Sequence, residues 1–148
     1  DCKPDHRLGD VAVELTGQEM TVSGRVDACR DHGGVIFVDL FDWTGACQLV
    51  MERDTMGVDS LRDFRHAVSL GDHLVATGTV GASRYGTLSP EMTSWRRAGE
   101  SLRPLPAGRS GFNDREAKDR QRYLDLIVNP SARDQLRARS NAIRAVRE

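Results

Sequence analysis

Aromatic residues are scarce in this 148-residue sequence, at 5% against 39% hydrophobic residues overall, so its core must be mostly aliphatic. No run approaches the roughly 18 apolar residues that a membrane helix needs. The opening residues, Asp1-Cys2-Lys3-Pro4-Asp5, are charged and lack the apolar stretch of a secretion signal. The three cysteines, Cys2, Cys29 and Cys47, form no C-x-x-C pair. They fit free or buried thiols in a reducing cytosol better than a disulfide framework or a zinc site, so a cytoplasmic location is expected. The four histidines, His6, His32, His66 and His73, show no ligand spacing and read as surface or loop residues. Enzyme signatures are missing as well: there is no Gly-rich phosphate loop, no H-E-x-x-H and no G-x-S-x-G. No catalytic residue, metal ligand or cofactor is therefore assigned within these residues. The first residue is not Met, and the expectation is that the N-terminus was cut from a longer protein.

The net charge of −1 hides an asymmetry. Residues 1–94 carry 8 Lys+Arg against 15 Asp+Glu, and residues 95–148 carry 13 against 7. A sequence-blind nucleic-acid binder would concentrate positive charge on its binding module. The acidic first part instead points to recognition by a few placed residues.

Residues 6–15 have Leu8, Val11, Ala12 and Leu15 at helical spacing, which predicts a short lead-in helix. From Met20 to Ala28 the period changes to two, the mark of a half-buried strand. Turns at Asp31-His32-Gly33-Gly34 and Thr44-Gly45 delimit further strands at 35–41 and 46–51. Residues 59–68 suit a helix with Leu61, Phe64, Ala67 and Val68 on one face. Strands at 73–82 and about 87–95 follow, separated by a turn around Tyr85-Gly86. Five short strands with a helix between the third and fourth give the order of an OB-fold, an all-β Greek-key barrel. An SH3-like barrel or a small open sheet is the alternative. Interior glycines Gly24 and Gly78, suited to bends or close approaches, favour the OB-fold. After Trp95 come an extended Leu102-Arg-Pro-Leu-Pro106, a charged helix over 114–126, a break at Asn129-Pro130 and an amphipathic helix over 131–148. That last helix ends without a stop signal, so truncation is expected there too.

The carboxylates Asp39 and Asp42 flank a strand end, where a solvated rim is the ordinary reading. The charge run 114–122 reads more readily as a solvated helix face with i,i+4 pairs than as an RNA contact. Strand alternation is more informative. With Ile36, Val38 and Leu40 on one face of the second strand, Phe37, Asp39 and Phe41 take the other. In the third strand Cys47, Leu49 and Met51 face inward, so Gln48 and Val50 face out. An exposed aromatic on these strands can stack a single-stranded base, and an amide can read a base edge because it both donates and accepts. Arg30, just past the first strand, can reach the same surface. Parity alone leaves open that Phe37 instead packs under a terminal segment.

Val22-Ser-Gly-Arg-Val26, Gly33-Gly-Val-Ile-Phe-Val-Asp-Leu40 and Asp42-Trp-Thr-Gly-Ala-Cys-Gln-Leu49 resemble the anticodon-binding barrel of class IIb aminoacyl-tRNA synthetases. Leu102-Arg-Pro-Leu-Pro106, Asp114-Arg-Glu-Ala117 and Arg120-Gln-Arg-Tyr-Leu-Asp-Leu126 are similar to the hinge of the lysyl enzymes. Asn129-Pro130, Arg133 and Arg139-Ser140 extend the likeness into the helix that opens class II motif 1. The resemblance covers roughly residues 20–148. It implies that Phe37 stacks on the central anticodon uridine of a lysine tRNA while Gln48 and Arg30 hydrogen-bond around it. Gly86-Thr87-Leu88 departs from the Gly-Glu-Leu of many lysyl enzymes, so an acidic contact to another anticodon base is not carried over.

The resemblance implies a parent ligase that activates lysine with ATP and Mg²⁺, pairs this part with a class II catalytic domain and forms a homodimer. Asp42-Trp-Thr-Gly45, Gly78-Thr-Val-Gly81 and the use of arginine with only two lysines look closest to actinobacterial two-part proteins. In these a lysyl-tRNA synthetase follows a membrane domain that transfers lysine to phosphatidylglycerol, so a membrane link belongs to that alternative. A stand-alone OB-fold module binding single-stranded nucleic acid or protein is the third reading. The expected division is a lead-in over 1–18, the barrel over 19–98, a hinge over 99–130 and the start of a catalytic domain over 131–148.

Overall fold

A computed structural model describes residues 4–11, 15–82, 88–106, 112 and 114–148. The chain forms two compact units, Asp1–Leu102 and Arg103–Glu148. The first is a closed five-stranded barrel of β1 (Glu19–Asp31), β2 (Val35–Phe41), β3 (Ala46–Glu52), β4 (His73–Ala82) and β5 (Leu88–Gly99). Its strand order is β1-β2-β3-β5-β4, and β4 pairs back onto β1. All pairings are antiparallel except β3 with β5, which meet in parallel at Val50 and Glu91. A single turn α1 (Arg53–Met56) and the helix α2 (Val58–Ala67) lie between β3 and β4. This is the OB-fold expected from the strand order.

Period-two alternation fills the barrel. Met20, Val22 and Val26 of β1, Ile36, Val38 and Leu40 of β2, and Cys47, Leu49 and Met51 of β3 join Leu74, Ala76, Val80 and Met92 in one buried cluster. From α2, Leu61 and Phe64 complete it, and Phe64 meets Trp95 edge-to-face at 5.2 Å. Full burial of a side chain of this size stabilises by roughly 1.5–3 kcal/mol. Cys29 and Cys47 are free thiols, and burial pushes the Cys47 thiol up to about 11.

The expected lead-in helix is not what forms over residues 6–11. His6 bridges to Val22, a 3₁₀ turn spans Leu8–Asp10, and Val11 is extended. Leu8 drops into the core instead of lining a helix stripe. The turn is pinned by Asp42, whose carboxylate accepts from Leu8 N–H at 3.3 Å, and by Thr44, whose hydroxyl accepts from Gly9 N–H at 3.0 Å. Ala12, the turn around Tyr85-Gly86, Thr87 and Cys2 lie outside the described residues. β5 runs to Gly99, beyond its expected end, and pairs with β4 as far as His73 across register shifts at Thr93 and Ala98.

In the second unit, α3 (Arg115–Arg120) and α4 (Arg122–Val128) replace the single helix expected over 114–126, breaking at Gln121 with φ −121° and ψ 53°. Asp114 caps α3, and Arg120–Glu116 is an i,i+4 pair at 2.7 Å. The helix α5 (Pro130–Arg147) begins at a proline, where the missing N–H costs nothing. Buried Asp125 accepts from Arg122 Nη1 at 2.6 Å and Asn129 Nδ2 at 2.5 Å, while Arg133 Nη1 donates to the carbonyls of Leu126 and Ile127. These bonds define the corner between α4 and α5. Among the described residues no helix is long and apolar enough to cross a membrane.

Gly24 and Gly78 are sites of close approach. A Cβ on Gly24 would lie 2.7 Å from Leu8 Cδ1, and one on Gly78 would collide with the Glu91 carbonyl oxygen and sit 2.7 Å from Met92 Cε. Backbone cannot yield as a flexible side chain can. Gly78→Ala should therefore destabilise the barrel by about 1–3 kcal/mol, the usual cost of overpacking. Urea denaturation measures this, and an unchanged midpoint would show that β4 and β5 can separate freely here.

Candidate nucleic-acid interface

The outer face of β1, β2 and β3 carries the candidate site. In β1, Met20, Val22, Gly24 and Val26 alternate inward. Simple continuation would send Arg30 to the same interior face. The pairing with β2 breaks that continuation: Val26 lies opposite Leu40, but Ala28 lies opposite Asp39, so Asp27 is an extra residue. Such a bulge turns over the face of everything beyond it. Arg30 then pairs with Phe37 on the outside, and Cys29 pairs with inward Val38. The bulge is held from behind, where Val26 N–H donates to the Asp72 carbonyl and Gly71 N–H to the Val26 carbonyl, both at 2.9 Å. Alternation in the sequence predicts that the first strand ends at Ala28. The strand in fact reaches Asp31, and Arg30 is part of it.

Phe37 and Gln48 take the outward positions that alternation predicts, and both are half-buried. Val50 has the same parity as Gln48 but is buried, since it lies between Phe37 on β2 and Glu91 on β5. The rows across the sheet are thus Arg30–Phe37–Val50 and Ala28–Asp39–Gln48. The ring of His32 meets Phe37 edge-on, with centroids 5.8 Å apart and planes at 74°. The described N-terminal residues dock elsewhere, His6 beside Val22 and Leu8–Gly9 against Asp42 and Thr44.

The two carboxylates read as a solvated rim are both engaged. Asp39 Oδ1 accepts from Arg30 Nη2 at 2.9 Å and from Gln48 Nε2 at 3.0 Å, and Oδ2 accepts from the same Arg30 nitrogen at 2.9 Å. Asp39 therefore links the two polar residues of the candidate site, a role not expected of a solvated rim. The available signal was its parity, shared with Phe37. Asp42 organises the β2–β3 turn, accepting from the Thr44 hydroxyl and backbone at 2.6 Å each and from Gly45 N–H at 2.9 Å. Burial pushes its carboxyl upward, but these bonds and that from Leu8 outweigh burial and hold it below the ordinary range.

The β1–β2 loop is fastened to α2. Arg65 donates from Nε to Asp31 Oδ2 at 2.6 Å, and from Nη2 to Asp31 Oδ1 at 3.0 Å and the Gly33 carbonyl at 2.6 Å. Asp31 also accepts from Gly33 N–H at 2.8 Å. The Arg65 guanidinium, then Gly33, hold the Asp31 carboxyl at about 2. An unfolded aspartate titrates near ~3.9. A depressed carboxyl stabilises the fold above its unfolded value and loses that contribution as pH falls. The loop's anchorage should thus be complete above pH ~4 and be lost as pH falls to about 2. A carbon-detected NMR titration should find the Asp31 midpoint near about 2. Arg65→Ala should return it toward the ordinary range, and an unmoved midpoint would exonerate Arg65.

Two kinds of relative bear on this face. The chain is 44% identical over 145 residues to the lysylphosphatidylglycerol biosynthesis bifunctional protein LysX of Mycobacterium sp. (strain KMS), covering 98% of this chain and 13% of that protein. It is 41% identical to proteins of the same name from Gordonia bronchialis and from Mycobacterium tuberculosis (strain F11), each over 98% of this chain. The chain thus spans only about an eighth of the length of these relatives. Residues 20–96, the barrel with its outer face, match the anticodon-binding model described as an OB-fold nucleic acid binding domain. On that match, which takes in more than half of its residues, the chain belongs to the family of OB-fold nucleic acid binding domains of the tRNA-anticodon type.

Proposed function

We propose that this chain reads the anticodon loop of a lysine tRNA, as the anticodon-binding part of a lysine–tRNA ligase. The observation that carries the proposal is the outward cluster of Arg30, Phe37 and Gln48 on three neighbouring strands. Phe37 offers a ring for stacking the central base, which is worth about 1–3 kcal/mol per base. Gln48 supplies a donor and an acceptor to the base edge, and Arg30 supplies donors beside them. The likeness of the Leu102–Leu126 segment to the hinge of lysyl enzymes supports lysine as the amino acid. The LysX relatives favour one version of this reading, in which the parent is a bifunctional lysylphosphatidylglycerol protein linked to a membrane. A cytoplasmic ligase is the simpler version. In both, the partners are the tRNA, a class II catalytic domain and a second copy of the parent.

Lysine activation with ATP and Mg²⁺ is assigned to the rest of the parent. The chain alone is proposed to bind without catalysing.

Fluorescence anisotropy at low salt, with a lysine-tRNA anticodon stem-loop and one whose central uridine is changed, tests the reading. The uridine loop should bind more tightly, and Phe37→Ala should weaken it roughly tenfold or more, the worth of one stacked base. Equal binding of both loops, with Phe37→Ala silent, would remove the proposed site.

A further inference from the structure

We infer that Asp39 is a positioning residue that determines which pyrimidine Gln48 accepts. The inference rests on the anticodon reading above and adds to it a residue that neither the motifs nor the relatives assign. Its basis is geometric. One carboxylate holds both Gln48 Nε2, at 3.0 Å, and Arg30 Nη2, at 2.9 Å, beside the ring of Phe37.

An ionised carboxylate only accepts hydrogen bonds. It therefore dictates which end of the Gln48 amide turns toward it. With Nε2 inward the contact is favourable. With the amide flipped, Oε1 would face a negative oxygen and repel it. An isolated glutamine on an open strand has no such constraint. The uracil edge presents a donor at N3 flanked by carbonyl acceptors, whereas cytosine presents an acceptor at N3 beside an amino donor. For a base held in place by stacking on Phe37, one amide orientation suits the uracil edge and the flipped one suits cytosine. Asp39 admits one orientation only. It rejects the wrong base by denying Gln48 the pose that would serve it, which is how a site discriminates beyond what its attractive contacts supply. The same carboxylate balances Arg30, so the guanidinium does not draw any phosphate indiscriminately to this face.

Asp39→Asn separates these roles. Asparagine has the same shape, but its amide both donates and accepts, so it tolerates either orientation of Gln48. Half-exposed ion pairs contribute little to stability, so the variant should fold. Affinities of the whole chain for stem-loops with central uridine and central cytidine give the discrimination ratio. Asp39→Asn should lower that ratio roughly tenfold, the usual consequence of losing a hydrogen bond to a charged group. Most of the change should come from improved cytidine binding. In a Gln48→Ala background Asp39→Asn should leave the ratio unchanged. The shifts of the Gln48 side-chain amide protons should move toward those of an exposed glutamine in Asp39→Asn, as the bond from Nε2 to the carboxylate is lost. If the wild type discriminates and Asp39→Asn discriminates equally well, the assignment is overturned and the anticodon reading stands. A ratio that falls as far in the Gln48→Ala background also overturns it, since Asp39 would then act elsewhere. A wild type that ignores the central base, with Phe37→Ala silent too, removes the anticodon reading and Asp39's role with it.

Discussion

One extra residue in a strand governs this molecule's outer face. Strand side chains alternate strictly, so a register change of one exchanges core for surface. In β1 the exchange occurs at Asp27. Before it, Val22 and Val26 fill the barrel, and after it, Arg30 stands outside next to Phe37. The bulge is supported from the turn leading into β4. Gly71 and Asp72 take both backbone groups of Val26, and Arg25 Nη1 donates to the Gly71 carbonyl at 2.6 Å. The Asp72 side chain is itself buried, accepting from Ser69 N–H at 2.9 Å and Ser101 N–H at 2.7 Å. A buried carboxylate that lost those bonds would be costly. The position of Arg30 on the face is thus tied to a polar knot behind β1 that touches none of the residues proposed to meet RNA.

Much of the barrel is legible in the sequence because its strands are half-buried and alternate. The limits read for β2 and β4, 35–41 and 73–82, coincide with those of the structure. The bulge is not legible, because Asp27, Ala28, Cys29 and Arg30 carry no hydrophobic pattern that a one-residue shift would disturb. Periodicity misleads at residues 6–15 for a related reason. Leu8 satisfies a helical spacing, but its side chain is claimed by the barrel, and Asp42 and Thr44 supply the hydrogen bonds that a helix would otherwise make. Both decisions are tertiary, and local propensity is a weak prior against them.

The candidate site divides in the same way. Phe37 and Gln48 follow from parity in two strands whose inner faces are plainly apolar. Asp39 has the same parity, yet a lone carboxylate at a strand end carries no mark of its partners, and its bonds to Arg30 and Gln48 depend on register across three strands. Arg65 carries no mark in the sequence of the partners it finds. That it reaches Asp31 and Gly33 depends on how α2 packs on the barrel through Leu61 and Phe64.

The electrostatics explain how an acidic module can recognise a polyanion. On the face, Arg30 is matched by Asp39 and, beside it, Arg65 by Asp31. Little net positive charge remains there to hold phosphate, so the face has little of the sequence-blind attraction that phosphate contacts supply. On the proposed reading it offers a ring and an oriented amide, which would distinguish bases without gripping the backbone. The positive excess lies later in the chain, where residues 95–148 carry 13 Lys+Arg against 7 Asp+Glu. On the proposed reading, selectivity and affinity are carried by different parts of the protein. A balanced face is then in keeping with selectivity: a stronger charge beside Phe37 would tighten every loop alike and add nothing to the difference between the right one and the rest.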